Sequence, residues 1–196
     1  MMRLSDEELH LYTEECNSRA DELIGFAMEM FGPMTSVWEY DGVIFLDHPP
    51  HLHYRPDRGT VQIALSYKAI NDDVQRDFQL AHEVCHLLYP SVSLGNPSEP
   101  ATNVINEGIS TYFSVLVVDA VYGEVMSNSV LESLVNHTPR YLFALKQVME
   151  LLHADRDAVK KAREVQSMVN EITEGELRAL GLSLPEETYS ALTEAF

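Results

Sequence analysis

The run Leu80-Ala-His82-Glu83-Val-Cys-His86-Leu-Leu-Tyr89 constrains the chain more than any other segment. Its spacing predicts a helix, on which residues four apart share a face, so the His82 and His86 imidazoles converge one turn apart. Phe78, Leu80, Ala81, Val84, Cys85, Leu87 and Leu88 make that helix largely buried. Two imidazoles and a carboxylate are costly to desolvate there unless something coordinates them. The plain alternative is a helix with two partly buried histidines. Glu83 is rotated by about 100° from His82, close enough to serve a metal-bound water without being a ligand.

A third donor is available. Tyr89-Pro90 ends the first helix, a turn-rich stretch follows, and a new helix carries Val104-Ile-Asn106-Glu107-Gly-Ile-Ser-Thr111-Tyr112. Antiparallel packing of the two helices brings Glu107 to face the histidine pair. Two histidines and a glutamate with an open fourth position are a catalytic zinc set. Cys85 lies beside His86 but about 100° away, and reads as a small apolar filler.

On these residues the chain resembles the gluzincin metallopeptidases, the clan of thermolysin-like proteases and zinc aminopeptidases. The resemblance rests on His82-Glu83-x-x-His86, 20 residues between His86 and Glu107, and the segment Asn106-Glu107-Gly108-Ile-Ser-Thr111-Tyr112, about 33 of 196 residues. It implies a zincin-like fold, one Zn2+ ion on His82, His86 and Glu107, and Glu83 as general base for a zinc-activated water. It implies a peptide or protein substrate, its backbone added to an edge strand expected near Gly59 to Leu65. Asn106 and Thr111 are the neighbours expected to support the ligands. Thr111 departs from the thermolysin pattern, where an aspartate orients a zinc histidine. Metzincins are excluded, because Tyr89 and Val92 stand where that group has Gly and His.

An oxyanion partner besides zinc comes from downstream, among His137, Tyr141, His153 and Tyr189. His137 and Tyr141, which flank an expected helix start, rank first. Three histidines in Asp47-His48-Pro-Pro-His51-Leu-His53 could form a second metal site or touch substrate, but read more simply as residues fanning out around a turn. Glu99 reads as a first-turn acid, Tyr112 as a core aromatic with its hydroxyl satisfied. Gly25 to Met30 faintly echoes an aminopeptidase amine-binding segment but falls inside a helical pattern.

The expected fold class is α+β, a single catalytic domain over 1–196. A β-rich part (33–70) precedes the metal-site helices (71–122) and a C-terminal helical part (123–196). Helices are expected at Ser5–Phe31, Asp72–Tyr89, Pro100–Tyr122, Val125–Val135, Pro139–Leu152, Asp155–Val169, Thr173–Leu180 and Pro185–Ala195. Ser5/Glu8, Thr173/Glu176 and Ser183/Glu186 read as capping boxes. Ser36–Tyr40, Val43–Leu46, Leu52–Tyr54 and Thr60–Leu65 read as a small antiparallel meander, with Asp41-Gly42 as one of its turns.

Charge narrows the partners. Thirteen Lys and Arg against 31 Asp and Glu leave −18, which disfavours nucleic acid and anionic membrane surfaces. The most apolar stretch, Gly108 to Val118, has 11 residues between Glu107 and Asp119 against the roughly 20 that span a bilayer. No secretory leader is visible, and two cysteines, Cys16 and Cys85, form no disulfide framework. The expectation is a cytoplasmic zinc-dependent peptide hydrolase. Its rival is a zinc-binding regulator or scaffold with the same fold.

Overall fold

A computed structural model describes residues 5–92 and 102–196. The expected start of the second metal-site helix at Pro100, and Glu99, lie outside the described residues.

The chain opens with α1 (Asp6–Phe31), whose first turn is closed by a reciprocal capping box between Ser5 and Glu8. Three strands follow: β1 (Glu39–Leu46), β2 (His51–Arg55) and β3 (Thr60–Ser66). A 3₁₀ turn at Tyr67–Ala69 leads to α2 (Asp73–Leu88), capped by Asp72, and then α3 (Val104–Tyr122), capped by Asn103. The remainder is helical: α4 (Glu124–His137), α5 (Pro139–Ala154), α6 (Ala158–Val165), α7 (Glu174–Ala179) and α8 (Glu186–Thr193), with a 3₁₀ turn at Val169–Glu171. The architecture is α+β, a small sheet followed by helices.

The sheet differs from the expected meander. Its order is β1-β3-β2, with β3 antiparallel to β2 but parallel to β1. A meander would need a hairpin between β1 and β2, and Pro49-Pro50 offers no ladder donors there. Asp47–Pro50 instead steps over the end of β3, about 10 Å for two strand spacings, within reach of a four-residue link. The most apolar strand thereby gains two neighbours; Val61, Ile63, Ala64 and Leu65 are all buried. The strand near Gly59 to Leu65 is therefore central, and β2 is an edge. Asp41-Gly42 is no turn either. It is a bulge inside one long strand, where Gly42 adopts φ 83° and the Val43 amide donates to Asn17 Oδ1 on α1 at 2.7 Å.

Alpha1, α2 and the sheet enclose the core, and α3 lies between α2 and α5. By length and hydropathy alone α3 qualifies as a membrane-crossing helix, because its polar residues are spaced inside a longer apolar element than the 11-residue run suggests. Sixty-seven per cent of that stretch is buried inside the protein, which is what a core helix requires. Asp77 near the start of α2 accepts from Tyr122 at the end of α3, so the two helices run antiparallel.

Two long-range ties hold the helical part. Arg163 on α6, buried and without a carboxylate partner among the described residues, donates to the carbonyls of Phe31, Gly32, Pro33 and Leu88 and sits 5.0 Å over the Tyr89 ring. It thus caps the C-termini of α1 and α2 together. The segment after α8 returns to the start of α3: Val104 N–H donates to Glu194 O, Phe196 N–H to Thr102 O, and Arg140 Nη2 to Ala195 O.

The capping box at Thr173/Glu176 forms. The one expected at Ser183/Glu186 does not, because Pro185 takes the cap position and Glu186 pairs with Arg178.

Candidate metal centre

Helices α2 and α3 bring His82, His86 and Glu107 together, as their spacing predicts. The facing donor atoms form a nearly equilateral triangle. His82 Nε2 lies 3.1 Å from His86 Nε2 and 3.2 Å from Glu107 Oε2, and His86 Nε2 lies 3.5 Å from Glu107 Oε2. A tetrahedral ion with bonds of about 2.0–2.1 Å needs ligand–ligand edges of about 3.3–3.4 Å. The three side chains therefore fit one small ion with a fourth position free. Gly108, next to the glutamate, lets α5 press against α3; a Cβ there would stand 2.4 Å from Ala144 O.

Electrostatics point the same way. Burial alone would raise the Glu107 pKa, but the positive charge and hydrogen bonds of His86 and His82 hold it well below the usual carboxylate range. Burial disfavours a charged His86, yet Glu107, and then Glu83, outweigh it and push the imidazole up to about 9. Both shifts favour positive charge within the cluster, which a divalent ion could supply.

The triangle faces a cleft of about 390 Å³, walled on one side by β2 and on the other by Tyr141. Glu83 lies in this cleft, buried, its carboxyl pushed up by desolvation and restrained chiefly by the two histidines. Tyr141, in the first turn of α5, has its ring 5.8 Å from that of His82 and 4.9 Å from that of Phe196. Burial pushes its phenol up to about 12.

Of the two leading oxyanion candidates, Tyr141 lines the cleft and His137 does not. His137 ends α4 with an exposed side chain, and the break at Thr138-Pro139 separates the orientations of the two residues. His153 opens instead onto a second cleft, of about 500 Å³, which Tyr112 also lines, half-buried where it packs against the core. The Tyr189 hydroxyl donates to Leu182 O. The Thr111 hydroxyl donates to the Glu107 carbonyl at 2.8 Å, back along its own helix. Asn106 is fully buried beside His86 and favours its charged form, with neither amide atom in hydrogen-bonding geometry. Cys85 is buried outside the donor group, its thiol pushed up by desolvation.

The wall formed by Pro50, His51, Leu52 and Tyr54 was not legible as part of the site; its one signal was the histidine-rich turn. Comparison of the chain with protein-family models, with curated proteins and with solved structures gives no match.

Proposed function

We propose that this protein is a zinc-dependent hydrolase of peptide bonds, built on a gluzincin-type, zincin-like core. The donor triangle carries the reading. Two nitrogens and one oxygen at tetrahedral spacing suit zinc, whereas calcium and magnesium prefer more ligands, all of them oxygens. His82, His86 and Glu107 would hold the ion. When bound, it supplies a Lewis acid that polarises a carbonyl and acidifies water toward neutral pH.

The chain's own residues divide the remaining work. Glu83, poised by burial to hold or release a proton nearer neutrality than an exposed carboxylate, takes the proton of the attacking water and delivers it to the leaving amine. Tyr141 stays protonated throughout the physiological range and donates to the carbonyl oxygen as negative charge grows there. The edge strand β2 offers its free side to a substrate main chain.

Protein purified without added metal is expected to hold one zinc, and to hold none after Glu107→Ala. Glu83→Gln should retain the metal while losing about 10²–10⁴-fold in hydrolysis of a fluorogenic peptide library. A wild-type protein that takes up no zinc, or a Glu83→Gln variant of undiminished rate, refutes the reading. One observation favours a metal-holding regulator or scaffold instead: the Thr111 hydroxyl is turned to the Glu107 carbonyl rather than to a histidine. Zinc content without any hydrolysis by the wild type is the outcome that reading requires.

A further inference from the structure

We infer that His51 is a substrate-contacting residue, whose free ring nitrogen accepts a hydrogen bond from a substrate N–H and helps select peptides that are neutral or cationic beside the cleaved bond. The inference rests on the hydrolase reading above and adds to it a residue and a substrate class.

His51 begins β2 and lines the cleft together with His82, Glu83, His86 and Tyr141. It lies outside the group of converging metal donors. Its Nδ1 is 2.9 Å from the Pro49 carbonyl. A carbonyl oxygen has no hydrogen to give, so Nδ1 is the donor and carries the proton. In the neutral ring Nε2 is then a bare lone pair, with no partner among the described residues. The anchor to Pro49 fixes the ring in place before any ligand arrives, which lowers the cost of binding. His51 and Glu83 line the same cleft.

The rest of the lining sets the sign of the ligand. No lysine or arginine lines the cleft among the described residues, and the sequence of 93–101, which joins α2 to α3, contains none. Glu83 and Glu107 both line the cleft, so its ionisable lining other than histidine is acidic among the described residues. The chain around it carries −18. A carboxylate on the substrate would find neither a partner nor a favourable field, whereas a substrate N–H, charged or not, finds His51.

Three hydroxamates with one body test this on the zinc-loaded protein by calorimetry: glycyl-leucine hydroxamate (cationic), its acetyl derivative (neutral) and its succinyl derivative (anionic). The wild type should bind the succinyl probe at least tenfold more weakly than the acetyl probe, and the cationic probe at least as tightly as the acetyl one. His51→Phe should weaken the neutral and cationic probes about tenfold at unchanged zinc content and circular dichroism. His51→Gln, which keeps an acceptor, should recover most of that loss. His51→Arg should reverse the order in favour of the succinyl probe. Equal binding of all three probes by the wild type overturns the inference, as does a His51→Phe variant with all three affinities unchanged. If Glu83-dependent hydrolysis is present while the probes fail to discriminate, the His51 assignment alone falls. If zinc-loaded wild type binds no probe and hydrolyses nothing, the hydrolase reading falls with it.

Discussion

Replacing Gly108 with alanine tests how closely α3 and α5 must approach. A Cβ at this position would lie 2.4 Å from the Ala144 carbonyl oxygen, 2.9 Å from its carbon and 2.5 Å from Val148 Cγ2. Ordinary contact begins near 3.4 Å, so α5 must retreat by about 1 Å. The Val148 side chain can rotate, but the Ala144 backbone cannot. Alanine improves helix propensity by about 1 kcal/mol over glycine. Overpacking costs about 1–3 kcal/mol, and a clash with main-chain atoms belongs at the upper end. The net loss is then about 2 kcal/mol, a fall in Tm of about 4–8 °C for a chain of this size. Tyr141, three residues before Ala144 on the same face of α5, retreats with it. A displacement of 1 Å can cost on the order of 100-fold in rate. On the proposed reading zinc content should not change, because the three candidate ligands are on α2 and α3. Gly25→Ala is the control: nothing lies within 4 Å of its Cβ, so that variant should gain about 1 kcal/mol. Urea denaturation and peptide hydrolysis read both effects. A Gly108→Ala protein as stable as wild type would refute the close-approach argument. One that is less stable but fully active would sever Tyr141 from that contact.

Arg163→Met should destabilise the fold by about 1–3 kcal/mol in urea, since it strands carbonyls at two helix ends that now accept from a charged donor; Arg163→Lys should recover less than half. Metal affinity, measured by competition with a chelating dye, should rise up to about tenfold per pH unit until about pH 9 and then level off, because the proton on His86 is what the ion displaces. In the metal-free protein the raised His86 pKa stabilises the fold fully below about pH 6.5, and that contribution is lost as pH rises through about 9. Asn17→Ala should cost about 1 kcal/mol by freeing the Val43 amide at the bulge of β1.

The helices and the metal triad were legible because both depend on local spacing. Four-residue periodicity, Ser5/Glu8 and Thr173/Glu176 mark helix positions, and His82/His86 must share a face wherever that helix packs. Strand order was not legible. Alternation says which residues face inward, not which strand lies beside which, and only packing gives β3 the central place. Asp41-Gly42 carries the same residues a tight hairpin turn needs, yet a positive-φ glycine serves a bulge equally well. The choice between His137 and Tyr141 depended on one helix break, a boundary that sequence sets only to within a few residues. The histidine-rich turn signalled that His51 could touch substrate, but its place beside the donors depends on the tertiary pairing of β2 with β3, which spacing does not give.

The return of Glu194–Phe196 to the mouth of α3 has a consequence for biosynthesis. The residues that clasp Thr102 and Val104 and back the Tyr141 ring leave the ribosome long after both histidines and Glu107 have emerged. A nascent chain can gather its three donors while the wall opposite β2 still lacks its last prop. On the hydrolase reading proposed above, gathering the donors and completing the Tyr141 wall would thus be separate events during synthesis.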